Sequence, residues 1–286
     1  GGRFLIDRRG GRCYNALVKE LINMAEIIDP RYILERITAA QREAAALLLH
    51  ARGVLAENKT GHRDVVTEYD RQVQTLLMRR LEGALPGASF FCEENDRRDE
   101  LDAGHLFIID PIDGTMNFVH GFNHSCISAA YASRGTLLAA AVYNPYADEM
   151  FSAVKGGGAF LNGRPLRAAE SALEDCVVCC GTSPYSPELT ERSFEYMKRA
   201  FSASLDLRRQ GSAELDLCSV AAGRAGAYFE LSVSLWDWAA GGLIVREAGG
   251  MCLDLQGREL TLKGEKTGIV AGGKRAAAEL CALLEG

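Results

Sequence analysis

The sequence predicts a layered α/β fold, and two patterns carry that prediction. Apolar stretches of strand length follow one another with short links, which favours an antiparallel sheet; they lie at residues 124–132, 137–143 and 149–154. From residue 176 onward, such stretches alternate with helical periods, which predicts strands covered by helices. No linker, repeat or low-complexity tract divides the chain. We therefore expect one compact unit with subregions at about 31–170 and 171–286.

The first long helix is predicted directly after Pro30. Apolar residues recur at helical spacing from residue 33 to residue 47, which indicates an amphipathic helix ending near Gly53. Residues 1–30 form an N-terminal extension that we leave unassigned. Four of its apolar residues also have helical spacing, but glycines interrupt the period, so an added helix and a loose arm both remain open.

The composition is typical of a soluble globular protein. With 48% hydrophobic and 24% charged residues, 286 residues can bury a large core. The net charge of -6 argues against a nucleic-acid or membrane surface, since both require clustered Lys and Arg. The nine cysteines lack zinc-ligand spacing, no apolar run reaches the length of a membrane span, and the N-terminus lacks a signal-peptide pattern. We expect a cytoplasmic protein with no nucleic-acid or membrane partner.

The most informative pattern begins at Leu106. Four apolar residues predict a buried strand, which we expect to end at Asp110 because the following proline brings no N–H to a ladder. Asp113 follows, and then Gly114 and Thr115 open a helical segment whose N-terminus would suit a phosphate. Two carboxylates cannot both stay ionised beside an anion without cations, which favours a divalent metal cluster bridging them to a substrate phosphate. A plain polar turn with an Asp cap is the competing interpretation.

The string Asp-Pro-Ile-Asp-Gly-Thr-Met-Asn-Phe at residues 110–118 resembles the signature of the inositol monophosphatase family. Two further motifs fall in the expected order: Phe-Cys-Glu-Glu at residues 91–94 and Trp-Asp-Trp-Ala-Ala-Gly at residues 236–241. The resemblance extends over roughly residues 31–286, which we expect to form the catalytic domain. It implies the sugar-phosphatase fold, an α-β-α-β-α sandwich with an antiparallel N-terminal sheet and a smaller, mixed or parallel C-terminal sheet.

The resemblance also implies a set of metal ligands, which are Glu93, Asp110, the Ile112 carbonyl, Asp113 and Asp237. Hard oxygen ligands without His or Cys fit two or three Mg²⁺ ions rather than zinc. Taken alone, Glu93 is better interpreted as one of a solvated acid pair, and Asp237 could equally well be a helix N-cap.

The catalytic residues implied by the resemblance are Thr115, Glu93 and Asp70. Thr67 and Asp70 have the form of a helix capping box, and capping is the interpretation that the residues alone favour. The resemblance adds that Asp70 orients Thr115, which with Glu93 positions and deprotonates a metal-activated water. The implied reaction is the hydrolysis of a phosphate monoester without a covalent nucleophile.

For the substrate, the resemblance implies that Asp113, Gly114 and Thr115 contact the phosphorylated end. Gly211, Ser212, Ala213 and Glu230 match the positions that contact the polyol, and Glu230 as a solvated acid at a strand end remains the alternative.

Inositol 1-phosphate is the substrate that the resemblance favours, with fructose 1,6-bisphosphate, histidinol phosphate and adenosine 3′,5′-bisphosphate as alternatives. Asn-Phe-Val-His at residues 117–120 is typical of the inositol branch rather than the nucleotide branch. A regulatory or binding protein that retains the fold without catalysis is the alternative from another class. The resemblance further implies a homodimer.

Overall fold

The computed structural model describes residues 28–61, 64–94 and 99–285 of the chain. The two interpretations of residues 1–30, an added helix or a loose arm, therefore fall almost wholly outside the described ranges. Within these ranges, no helix combines the length and the apolar character that crossing a membrane requires.

The described helices and strands are numbered separately in chain order. The helices are α1 (Pro30–Leu49), α2 (Glu68–Ala84), α3 (Thr115–Val119), α4 (Thr190–Ala203), α5 (Ala213–Ala221), α6 (Ala239–Glu247) and α7 (Lys274–Glu285). The strands are β1 (Ala56–Gly61), β2 (Asp64–Thr67), β3 (Ser89–Cys92), β4 (Leu106–Asp113), β5 (Cys126–Ser133), β6 (Thr136–Asn144), β7 (Glu149–Val154), β8 (Gly158–Leu161), β9 (Arg164–Pro165), β10 (Val177–Cys180), β11 (Asp206–Arg208), β12 (Ala227–Val233), β13 (Met251–Leu253) and β14 (Thr267–Gly272). Short 3₁₀ turns include Leu235–Asp237.

Helices α1 and α2 cover one face of a seven-stranded sheet. The described strands of this sheet lie in the order β3-β4-β5-β6-β7-β8-β9. Because apolar residues recur along α1 at helical spacing, the helix has one apolar face, which buries Ile33, Ile37 and Leu48 against the sheet. Val73 and Leu77 of α2 join the same hydrophobic cluster. These elements form the first two layers of the molecule.

Helices α5 and α6 form a middle layer between this sheet and a second, mixed sheet of order β11-β10-β12-β14-β13. One hydrophobic cluster joins Leu217 of α5 and Leu243 of α6 to Ala130 of the first sheet and Tyr228 of the second. Helices α4 and α7 cover the far face of the second sheet, where Phe229 is fully buried. The predicted α-β-α-β-α sandwich is therefore confirmed.

One pair of strands in the otherwise antiparallel first sheet is parallel. Strand β3 runs parallel to β4, with Cys92 opposite Ile109, and residues 93–105 provide the long connection that parallel pairing requires. The Glu93 N–H donates to the Ile109 carbonyl at 3.2 Å. Since parallel strands end at the same edge of a sheet, Glu93 and Asp110 emerge side by side.

Strand β4 continues past Pro111, so the prediction that the strand ends at Asp110 was wrong. Its register against β5 shifts between Asp110 and Asp113, and the irregular ladder accepts a proline, which has no N–H to donate. In a regular strand, side chains three positions apart point to opposite faces of the sheet. The shift removes this opposition, and both carboxylates line the same cavity.

A buried glutamine ties α1 to the first sheet. The side chain of Gln41 is fully buried, and its Nε2 donates to the Ile127 carbonyl at 3.0 Å and to the Ala141 carbonyl at 2.8 Å. These carbonyls belong to neighbouring strands, β5 and β6. The two hydrogen bonds therefore fix the helix in one position against both strands.

Replacing Gln41 should lower the stability of the fold. Gln41→Met keeps the length of the side chain and loses both bonds, so we expect the free energy of unfolding to fall by about 2 kcal/mol. Gln72→Met is the matched control, since the Gln72 amide donates to Glu68 on the exposed face of α2. Urea unfolding of both variants tests this, and equal stabilities would contradict the role given to Gln41.

Candidate active site

One cavity of about 640 Å³ collects nearly all of the predicted site residues. The predicted metal, phosphate and polyol positions that line it are Glu93, Asp110, Ile112, Asp113, Gly114, Thr115, Gly211, Ser212, Ala213, Glu230 and Asp237. Asp70 is not part of this lining; it is fully buried and contacts Thr115. Residues from distant parts of the sequence thus share one site.

Asp113 connects the end of β4 to the start of α5. Its Oδ2 accepts a hydrogen bond from Ser212 Oγ at 2.6 Å and another from the Glu214 N–H at 2.8 Å. Burial raises the pKa of Asp113 to about 6, and the hydrogen bond from Ser212 is the strongest influence in the opposite direction. The carboxylate is held in a fixed position between the first sheet and the middle layer.

Thr115 and Asp70 form a buried hydrogen-bonded pair beside the cavity. Thr115 Oγ1 lies 3.2 Å from Asp70 Oδ1 and 3.0 Å from the Ile112 carbonyl, and it can donate to either acceptor. The other oxygen of Asp70 accepts hydrogen bonds from the N–H and the hydroxyl of Thr67, at 2.7 and 2.6 Å. Burial raises the pKa of Asp70 to about 7, against the effect of these Thr67 bonds.

These contacts unite two interpretations of Asp70. The predicted capping box at the start of α2 is present, with Thr67 as the N-cap. The same carboxylate also reaches Thr115, so capping and contact with the predicted catalytic hydroxyl occur together.

Gly114 is required by both backbone angle and space. It has φ +86°, a left-handed conformation that favours glycine. A Cβ at this position would lie 3.0 Å from the Gly211 carbonyl and 3.1 Å from the His124 carbonyl. The backbone of residue 114 therefore packs directly against the segment that precedes α5.

Lys59, on β1, contacts the acidic pair Glu93 and Glu94. Its Nζ donates to Glu93 Oε1 at 2.9 Å and also to Glu94 Oε1. Burial opposes the charge of the ammonium group, but Glu93 and Glu94 more than offset this effect and raise the pKa of Lys59. A protein cation thus contacts one of the predicted metal ligands.

Asp237 lies in the 3₁₀ turn that precedes α6. Its Oδ2 accepts from the Ser234 N–H at 2.6 Å, and the two residues form a capping box. The alternative interpretation of Asp237 as a helix N-cap was wrong, because Ser234 is the N-cap of the 3₁₀ turn, Trp238 is the N-cap of α6, and Asp237 is the third residue of the turn. The residue also lines the cavity, so the local contact does not remove it from the site.

The carboxylates that line the cavity repel one another, which disfavours their ionised forms. Burial, followed by repulsion from Glu93 and then Asp113, raises the pKa of Asp110 well above its ordinary value. The same causes in the same order raise the pKa of Asp237. A cation placed among these groups would relieve the repulsion.

The donor set fits a hard divalent cation. Among the described residues, the lining of the cavity includes carboxylates, hydroxyls and backbone carbonyls but no His or Cys. Oxygen donors of this kind suit Mg²⁺ rather than zinc. In the parts of the chain that the structure describes, no three acidic, His or Cys side chains are already arranged as a finished metal site.

Glu230 lines the cavity, but its carboxylate already accepts several hydrogen bonds from within the protein. Its Oε1 accepts from the Ser183 N–H at 2.7 Å and from Ser183 Oγ at 3.3 Å, and its Oε2 accepts from Tyr228 Oη at 2.8 Å. Burial raises the pKa of Glu230, and the bond from Tyr228 opposes this shift most strongly. The alternative of a solvated acid is wrong, since Glu230 is only 9% exposed.

Sequence reasoning missed several residues of the lining, including Arg209, Tyr185 and Lys266. Lys266 Nζ lies 5.7 Å from the centre of the Tyr185 ring, although 81 positions separate the two residues. Asp216 was also missed; its carboxylate accepts from Gln210 Nε2 at 2.9 Å. Its position three residues after Ala213, at the start of the same helix, was the available signal.

The family model described as the inositol monophosphatase family matches residues 29–286. Inositol-1-monophosphatase from Rhizobium meliloti (strain 1021) is 39% identical over 221 residues, which cover 77% of this chain and 82% of that protein. The putative Nus factor SuhB from Neisseria meningitidis serogroup B is 34% identical over 249 residues, which cover 86% of this chain and 95% of that protein.

A solved structure agrees with these sequence relatives. Extragenic suppressor protein suhB from Bartonella henselae superimposes with a TM-score of 0.82 at 34% identity, covering 88% of this chain and 98% of that one. The family predicted from the three motifs is confirmed: this chain belongs to the inositol monophosphatase family.

Proposed function

We propose that this chain is a Mg²⁺-dependent phosphatase that hydrolyses a phosphate monoester, with inositol 1-phosphate as its best substrate. The observation that carries the proposal is the cavity, whose lining includes the four carboxylates proposed as metal ligands and Thr115. Two or three Mg²⁺ ions would be held by Glu93, Asp110, the Ile112 carbonyl, Asp113 and Asp237. When bound, Mg²⁺ lowers the pKa of the attacking water and neutralises charge on the leaving oxygen.

Thr115 and Asp70 orient the water in this mechanism. Asp70 accepts a hydrogen bond from Thr115 Oγ1, which leaves a lone pair of the hydroxyl oxygen free to accept a hydrogen bond from the water. As the water gives a proton to Thr115, the hydroxyl proton of Thr115 passes to Asp70. Asp70 itself is fixed by Thr67, so the hydroxyl has a defined direction. Glu93 acts with Thr115 in positioning and deprotonating the water.

The remaining lining residues hold the two ends of the substrate. The N–H groups of Gly114 and Thr115, two residues of the cavity lining, would donate to phosphate oxygens. Gly211, Ser212 and Ala213 would contact the polyol, together with Glu230. We also propose the homodimer that the family resemblance implies.

A panel of phosphate esters tests the activity. Phosphate release should be fastest from inositol 1-phosphate, ahead of fructose 1,6-bisphosphate, histidinol phosphate and adenosine 3′,5′-bisphosphate. It should stop when EDTA removes Mg²⁺ and return when Mg²⁺ is restored. Faster release from another ester would change the alcohol that we propose for the substrate. Turnover that survives EDTA would refute the metal mechanism.

Glu230 should affect the choice of alcohol rather than the chemistry. Its Oε2 has a lone pair beyond the bond from Tyr228, which can accept from a ring hydroxyl. Glu230→Gln should lower kcat/KM for inositol 1-phosphate by roughly ten- to a hundredfold, the size of one charge-assisted hydrogen bond. Turnover of p-nitrophenyl phosphate, which has no polyol, should barely change.

The ratio of the two kcat/KM values is the quantity to measure, because a loss of folding or metal would lower both. Tyr228→Phe is the control, since it removes the internal bond to Glu230 and keeps the carboxylate. Its ratio should stay close to that of the unaltered chain. An equal fall for both esters in Glu230→Gln would remove Glu230 from substrate recognition.

A binding protein that keeps the fold without catalysis is the second candidate. The observation that favours it is the name of several relatives, Nus factor SuhB. The complete set of carboxylates and the Thr115 hydroxyl favour the enzyme instead. A chain that binds Mg²⁺ but hydrolyses no ester of the panel would favour the second candidate.

A further inference from the structure

The carboxylate of Glu214 lies fully buried at the start of a neighbouring helix. Its Oε1 accepts from the Ala240 N–H at 3.2 Å, and its Oε2 accepts from the Gly241 N–H. These N–H groups belong to the first turn of α6, where a helix offers no backbone acceptor of its own. The positive end of the α6 dipole also favours a carboxylate at this place.

The contact between Glu214 and Gly241 is tightly packed. A Cβ on residue 241 would lie 2.5 Å from Glu214 Oε2 and 2.7 Å from the Cβ of Leu217. Glycine at this position therefore lets the first turn of α6 approach both the carboxylate and the adjacent turn of α5. The approach joins the two helices of the middle layer directly beside the cavity.

Glu214 also contacts the other side of the site through its backbone. Its N–H donates to Asp113 Oδ2 at 2.8 Å, whereas its side chain holds the helix that begins two residues after Asp237. A single residue thus connects the segments that carry two of the predicted metal ligands. Glu214, Ala240 and Gly241 stand outside the cavity lining, whereas Asp113 belongs to it.

Burying this carboxylate is costly. Burial, followed by repulsion from Asp113, raises the pKa of Glu214, and the hydrogen bonds from Gly241 and Ala240 act in the opposite direction. A neutral side chain would avoid the cost of burying charge, but it could not accept both N–H groups as strongly. The arrangement therefore favours the geometry of the site at some expense of stability.

We propose that Glu214 is a positioning residue, whose carboxylate holds the start of α6 against α5 so that Asp237 and Asp113 face the same metal ions. The inference rests on the proposed Mg²⁺ site and assigns Glu214 no contact with substrate or metal. Both the length and the charge of this side chain are needed to hold the two N–H groups.

The test compares Mg²⁺ affinity with thermal stability in two variants of the full chain. Glu214→Gln keeps the length and removes the charge, whereas Glu214→Asp keeps the charge but is one methylene too short to reach both N–H groups. Isothermal titration should show Mg²⁺ binding weakened about tenfold or more in both, the usual size for residues that orient metal ligands. Calorimetry gives the melting temperature of the same samples.

Glu247→Gln is the matched control. Glu247 lies at the other end of α6 and accepts from the Gly156 N–H at 2.8 Å and the Gly158 N–H at 3.0 Å. This variant disturbs the same kind of contact on the same helix, and it should lose stability without losing Mg²⁺ affinity.

Each outcome decides the proposal. Unaltered affinity in Glu214→Asp would show that charge alone matters, and an equal loss in Glu247→Gln would show a merely structural effect; both would overturn it. If one Glu214 variant does not fold, the other still gives a decisive affinity. An unaltered chain that binds no Mg²⁺ would overturn the proposed function and this inference together. If the unaltered chain and both Glu214 variants bind Mg²⁺ with the same affinity, the role given to Glu214 is overturned and the proposed function is not.

Discussion

Asp113→Asn should abolish Mg²⁺ binding and remove nearly all phosphatase turnover while leaving the fold intact. The substitution removes a charge without changing the volume of the side chain. The amide also meets the Ser212 hydroxyl and the Glu214 N–H, which now donate to Asp113 Oδ2, and it can offer only one oxygen to these donors and to a metal ion. Metal affinity should therefore fall far more than stability.

Isothermal titration with Mg²⁺ and phosphate release from inositol 1-phosphate are the measurements. Asp206→Asn is the control, since Asp206 is a surface carboxylate paired with Arg208 and lies outside the cavity. The melting temperature of Asp113→Asn should not fall, because the variant no longer buries a charge that neighbouring acids repel. Unchanged Mg²⁺ binding in this variant would refute the metal assignment.

Thr115→Ala should reduce kcat by on the order of a hundredfold with little change in KM. The variant keeps the backbone N–H of residue 115, which we propose holds the phosphate, and loses the hydroxyl that lies 3.2 Å from Asp70 Oδ1. Loss of the hydroxyl leaves the water without its orienting partner, whereas substrate binding retains its backbone contacts. The effect should therefore appear in the chemical step.

Thr115→Ser is the matched variant, because serine restores the hydroxyl without the methyl group. It should recover most of the lost kcat, measured at saturating Mg²⁺ and inositol 1-phosphate. If alanine and serine give the same kcat, or if KM rises while kcat is unchanged, the hydroxyl has no part in the chemistry and Thr115 serves binding alone.

Short patterns in the sequence predicted much of the fold because their physical causes are local. The pair Asn162 and Gly163 is typical of a two-residue hairpin turn, and both residues have positive φ, at 47° and 77°, as that turn requires. Thr67 and Asp70 marked the start of α2, and their reciprocal hydrogen bonds are present. Such signals depend on neighbours within a few residues, so one sequence is enough to read them.

The remainder depended on contacts that no local pattern records. Pro111 predicted the end of a strand, but the register shift against β5 lets the strand continue, and only the partner strand contains that information. Glu214 stood two residues after Ser212 and was overlooked, because its acceptor role depends on N–H groups 26 and 27 positions away. The cavity could be predicted as a set of motifs, whereas its supporting contacts could not.

The middle layer has a consequence for how this chain can vary. Four small residues in succession, Ala239, Ala240, Gly241 and Gly242, are buried where α6 packs between the two sheets. Because Asp237 lies two residues before this helix and Asp113 lies on the sheet beside it, the separation of the two carboxylates depends on how closely α6 can approach. Added side-chain volume here would widen that separation, whereas a longer surface loop would leave it unchanged. The small residues of this one short helix therefore set the distance between the two carboxylates.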